Sequence, residues 1–143
     1  MEGNMKPLKF ILSASIIFFL SCAIGFSQTI ADCSNLVGKA YYQSGEWKED
    51  SFSGKRGIRI LQKIGDDFDI FYGQPPGGKS VRKFGGNVIP LVTQNNVLQF
   101  LAADPAGLLE LYLFDLNTKT MTLSQQSRMS PIIKTGTYVA KCK

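Results

Sequence analysis

The stretch that follows the first thirty or so residues predicts an all-β domain: a small antiparallel meander of seven or eight strands, more readily a closed barrel than a sandwich. Three observations carry this. Apolar and polar residues alternate in short runs bounded by Gly, Asp, Asn and Pro, which is the strand pattern. No convincing amphipathic helix exceeds two turns: Gln94–Ala103 and Ala106–Leu116 have helical propensity, but turn residues bound each at hairpin spacing. Two cysteines, Cys33 and Cys142, sit at opposite ends of this stretch. A disulfide between them would set the N- and C-terminal strands side by side, the pairing that closes a barrel and removes its edges.

The chain of 143 residues opens with a different kind of segment. Lys6 and Lys9 precede an uncharged run, FILSASIIFFL, from Phe10 to Leu20. Eleven residues fall short of the ~20 needed to cross a bilayer but fit the apolar core of an export signal. Small residues follow, and cleavage is expected after Ser27 or after Ala31. Residues 1–31 are therefore read as a signal peptide and 32–143 as a single all-β domain. Met5 is a plausible start, because Glu2 adds an acid that a signal does not need. Phe19-Leu20-Ser21-Cys22 departs from the lipoprotein pattern, with Leu where a small residue belongs, so lipidation of Cys22 is not expected. No second apolar stretch is long enough to span. The expected location is secreted or periplasmic, an oxidising setting for the Cys33–Cys142 bridge.

Each strand has its own signals. Leu36–Gln43 is the first, followed by a polar loop from Ser44 to Gly57. Ile58, Ile60 and Ile64 share one face of the next strand, with Arg59 and Lys63 on the other. Gly65-Asp66-Asp67 turns the chain into a strand whose face is Phe68, Ile70 and Tyr72. Gln74 to Asn87 reads as a loop with a short edge strand at Ser80–Lys83. Val88–Thr93 and Val97–Ala103 form a hairpin about Gln94-Asn95-Asn96. Pro90 marks an edge or a bulge there, because it lacks a ladder donor. Leu108–Asp115 follows, with Leu109, Leu111 and Leu113 as the apolar face and Glu110 expected toward solvent. Thr120–Gln125 comes next. Pro131 lies in a looser segment, and Thr135–Cys142 ends the chain.

Few chemistries survive this inventory. The chain has no histidine, which excludes Ser-His-Asp and Cys-His catalysis and His-based zinc sites. Gly73-Gln74-Pro75-Pro76-Gly77-Gly78-Lys79-Ser80 matches the phosphate-binding pattern G-x-x-x-x-G-K-[ST]. However, Gly85, Gly86 and Pro90 leave no room for the helix that pattern requires. Asp66, Asp67 and Asp69 lack the spacing of a calcium loop. Neither a metal nor a cofactor is expected.

The formal charge is +5, and without Glu2, Lys6 and Lys9 the remainder holds 14 basic and 10 acidic side chains. This mild, dispersed bias does not point to nucleic acid. The expected role is non-enzymatic: binding or inhibiting a protein or other macromolecule outside the cytoplasm. The candidate contacts are Trp47, Phe52, Lys55 and Arg56 in one loop and Arg82 and Lys83 in the other, because aromatic and Arg side chains dominate binding hot spots and loops on rigid scaffolds carry function. A second reading is a carrier of a small amphipathic ligand in the barrel interior. A third is a carboxylate-dependent hydrolase, which needs two converging acids.

Overall fold

The computed structural model describes residues 26–74, 76–128 and 133–143. The apolar leader, Cys22 and Pro131 lie outside them. The described chain is all-β, with ten strands rather than the expected seven or eight: β1 (Ser27–Tyr42), β2 (Trp47–Phe52), β3 (Arg59–Ile64), β4 (Asp67–Tyr72), β5 (Lys79–Ser80), β6 (Asn87–Gln94), β7 (Val97–Asp104), β8 (Leu108–Asp115), β9 (Thr120–Ser127) and β10 (Lys134–Cys142). They form one antiparallel sheet in the order β5-β4-β3-β1-β10-β9-β8-β7-β6, with β2 paired to β1 off that path. The sheet curls into a half-barrel. The ladder does not close it: β5 and β6 are its two ends.

Extra strands appear where polar sequence hid them. The expected loop from Ser44 to Gly57 contains β2, paired to β1 from Leu36↔Phe52 to Tyr41↔Trp47. β1 starts nine residues earlier than the first expected strand. Its first part pairs with β3 and its second with β10 and β2. A register shift between Ser34 and Val37, with Asn35 at φ 58°, allows this change of neighbours. The two chain ends meet as expected, with Cys33 opposite Cys142 and disulfide-bonded to it.

The hairpins follow their turn residues. Asn95 and Asn96 both take positive φ, 54° and 60°, the conformation a two-residue turn between right-twisted strands demands. Gly65, at φ 62°, supplies the same freedom between β3 and β4. Asp104 Oδ1 accepts the Ala106 amide at 2.7 Å and so pins the turn before β8. β6 is an edge strand, and its register shifts between Pro90 and Val92, as the missing Pro90 donor requires.

The concave face holds the core. Phe100, Tyr112, Phe114, Tyr138, Leu36, Leu61, Ile70, Met121 and Leu123 are all fully buried there. Tyr112 and Phe114 stack at 5.7 Å, and Phe68 meets Phe100 at 4.9 Å. Phe68 and Phe100 come from β4 and β7, near opposite ends of the sheet, so the curl brings those ends together over one core.

Two strands present the face opposite to the one expected. On β8, Tyr112 and Phe114 turn inward with Glu110, while Leu109 and Leu113 are exposed. On β3, Arg59 turns inward beside Leu61 and is buried. Aromatic bulk decides β8: two large rings fill a concave core better than three leucines, and the carboxylate between them is accommodated by hydrogen bonds.

Candidate functional site

The two inverted strands bring their charges together. Glu110 is 0 % exposed. Its Oε2 accepts the hydroxyls of Tyr72 at 2.6 Å and Tyr112 at 2.5 Å. Its Oε1 accepts Gln125 Nε2 at 2.7 Å and lies 3.6 Å from an Arg59 guanidinium nitrogen. Arg59 also donates to the Tyr112 hydroxyl and to the carbonyls of Arg56 and Ile58. Its guanidinium stands 4.5 Å from the centre of the Tyr72 ring. Burial works against the Arg59 charge, but the Tyr112 and Glu110 oxygens outweigh it and hold the guanidinium charged. Burial, then the Glu110 carboxylate, pushes the phenols of Tyr72 and Tyr112 well up, so both stay protonated donors. This network ties β3, β4, β8 and β9 together across the core. Both Glu110 oxygens are engaged.

Tyr72 forms the boundary between this network and solvent. Its ring lines a recess of about 330 Å³ with Lys79, Val81, Phe84 and Pro105. It also lines a smaller one, about 260 Å³, with Lys55, Gln74 and Gly77. The carbonyl contacts of Arg59 fix the 3-10 turn Gly54–Gly57 that carries Lys55 and Arg56. Lys55 thus shares the smaller recess with Gln74 and Gly77 of the second loop.

The other expected contact residues disperse. Trp47 is 67 % exposed on the outer face, its ring 5.5 Å from that of Tyr41. Phe52, on the same strand, faces inward and packs 5.2 Å from the Tyr138 ring. Trp47 and Phe52 thus point to opposite sides of the sheet. Lys83 is exposed in the 3-10 turn Arg82–Phe84. Arg82 spans the seam of the half-barrel, donating to the carbonyls of Phe68 on β4 and Val88 on β6. Asp69 braces that segment, accepting the Ser80 hydroxyl and the amides of Ile70 and Arg82. Ser80, the last residue of the phosphate-loop pattern, is buried in this brace and leads into a three-residue 3-10 turn.

A second polar cluster links β2 to β10 across β1, over Gly38. Lys134 is paired with Asp50 and sits 4.5 Å from the Phe52 ring centre, and the Tyr138 hydroxyl reaches Asp50 at 2.7 Å. Burial opposes the Asp50 charge, but hydrogen bonds from Lys134 and Tyr138 outweigh it, and the carboxyl is held below its ordinary value.

The outer face of β6–β10 has a different chemistry. Register places three adjacent rows of side chains across its middle. Ala103, Leu109, Gln126 and Thr135 form the first, which continues onto Tyr41 and Trp47. Ile89, Leu101, Leu111, Ser124 and Thr137 form the second. Gln99, Leu113, Thr122 and Val139 form the third. None of the residues in these three rows carries a charge, in a chain with 27 Lys, Arg, Asp and Glu side chains. Charge returns at their margins, with Asp115 and Lys141 in the next row and the Lys39–Glu49 pair where the second row continues onto β1 and β2. Small Ser124 between Leu111 and Thr137 leaves a shallow groove of about 390 Å³. Sequence reasoning placed Leu109, Leu111 and Leu113 in the core and so missed this face. The signal lay in the parity of Tyr112 and Phe114. Comparison with known proteins returns no matching family model, no similar curated protein and no similar solved structure.

Proposed function

We propose that this is an exported, non-enzymatic binding protein that docks another protein on the three uncharged rows of the outer face of β6–β10, with Trp47 and Tyr41 as aromatic anchors at their margin. The observation that carries this reading is the segregation of charge. Interface centres are depleted of charged residues and enriched in aromatic ones, and contiguous apolar patches on a soluble surface mark interaction sites. The groove at Ser124 offers a recess for a partner side chain. On the same reading the half-barrel works as a closed frame, its seam spanned by Arg82 in place of a ladder.

Two features favour this over the alternatives. The concave face is filled by large side chains, which favours surface binding over a ligand carried inside. Glu110, the acid most sheltered from water, has its oxygens committed to four side chains, which favours a structural role over acid–base chemistry.

A photo-crosslinking residue at position 111 tests the proposal in the cells that make the protein. The expected result is one discrete protein adduct that disappears when Trp47→Ala is added and is not obtained from a crosslinker at Lys63. The same adducts from both positions, or none from position 111, would overturn it.

A further inference from the structure

We infer that the export signal is removed between Ser27 and Gln28, and that Gln28–Ala31 remain in the mature protein as working residues of β1. The sequence offers two places for cleavage, after Ser27 and after Ala31, and the fold treats them differently.

Cleavage after Ala31 would delete most of the β1–β3 ladder. Ser27 pairs with Ile64, Gln28 with Lys63, Thr29 with Gln62 and Ala31 with Leu61. Only Asp32↔Ile60 and Cys33↔Arg59 would be left to hold β3 against β1. Ala31 is 1 % exposed and belongs to the core, and Ile30 packs against that core. Losing both would open apolar surface beside Leu61 and leave β3 backbone groups without partners, at a cost comparable to lost hydrogen bonds. β3 also carries Arg59, so the partner of Glu110 would be loosened.

Cleavage after Ser27 removes one ladder pair, Ser27↔Ile64, and the exposed hydrogen bond from Ser27 Oγ to Gln62. Signal peptidases take an extended segment with small residues at the first and third positions before the cut. Ser27 and Gly25 meet that requirement, and Phe26 between them is 87 % exposed. A cut there falls at the first residue of β1 and leaves the rest of its ladder with β3 in place. The chemistry is hydrolysis: water adds to the Ser27 carbonyl, the C–N bond breaks, and the Gln28 nitrogen leaves as a free amine. Gln28 can then cyclise, its amine attacking its own side-chain amide and expelling ammonia.

The test is the intact mass and N-terminal peptide of the full chain recovered after export. The expected product begins at Gln28, either free or lacking ammonia. A product beginning at Asp32, or an uncleaved chain, would overturn the inference. Two exposed substitutions separate the sites without touching the core. Ser27→Leu should raise the uncleaved fraction at least tenfold, whereas Thr29→Leu, third before the alternative cut, should leave the product beginning at position 28. The reverse pattern would place the cut after Ala31.

Discussion

The two faces of β8 differ in an instructive way. Glu110, Tyr112 and Phe114 face the core, and Leu109, Leu111 and Leu113 face solvent. A hydropathy scale would assign them the other way round. The inner face holds its carboxylate because Tyr72, Tyr112, Gln125 and Arg59 supply it with hydrogen bonds and a counter-charge. The outer face leaves leucines in water although no counterpart among the described residues covers them. A buried polar group with all its partners in place is compatible with a stable core, and an exposed apolar row then calls for an explanation outside the fold. On this view the inner face carries stability and the outer face carries binding.

Substitutions can break that division. The largest effect is expected at Glu110. Glu110→Ala leaves Arg59 buried without its counter-charge and should cost about 3–5 kcal/mol of unfolding free energy in urea. If the cost is below ~1 kcal/mol, the network is not what holds the inner face. Asp50→Asn should cost less, about 2 kcal/mol, because its charge-assisted bonds lie nearer solvent. The pH dependence sharpens this prediction. The Asp50 carboxyl is held below its ordinary 3.8 in the folded chain. Its contribution is therefore complete above the unfolded-state value and is lost as pH falls through the folded-state value. Denaturation midpoints of the parent protein should fall more steeply than those of Asp50→Asn between about pH 5 and about pH 2.

Tyr72→Phe removes one of the two phenols on Glu110 Oε2 and should cost about 1 kcal/mol. It should also soften the wall shared by the two recesses, which amide exchange at Lys55 and Lys79 would report. The smallest effect belongs to the outer face: Leu111→Thr should change stability by less than ~0.5 kcal/mol while abolishing the crosslinked adduct. A large loss of stability from Leu111→Thr would mean that the outer leucines are a second core, and the contrast between the faces would fail.

Much of the frame was legible because its signals are local. Gly65, Asn95, Asn96 and Gly107 announce their turns through the φ angles they tolerate, and Pro90 announces an edge. The disulfide was legible from the placement of Cys33 and Cys142. β2 was obscured because WKEDSF carries three charged residues, and only its pairing with β1 makes it a strand. The N-terminal part of β1 was obscured because residues 27–31 also read as the end of a signal peptide. The faces of β3 and β8 were misjudged for one shared reason. Alternation reveals that a strand has two faces but not which of them is buried, and the usual guide, that charge faces water, fails when two charges from distant strands satisfy each other. Arg59 and Glu110 lie 51 positions apart, and nothing in either neighbourhood signals the other. The candidate site was legible only in Trp47 and in the approach of Lys55 to the second loop. A set of uncharged rows is a property of register and cannot be seen along one strand.

The pairing of β1 with β10 also sets a schedule for assembly. Cys33 must wait for Cys142, 109 positions later, before either the central ladder or the covalent link can form. A chain emerging from a ribosome, amino end first, cannot complete this sheet until β10 is available. Early closure of a long loop is entropically costly, and here the topology withholds the contacts that would compensate for it. The architecture thereby keeps the polypeptide pliable while it is being made and defers its locked form until the two sulfurs meet.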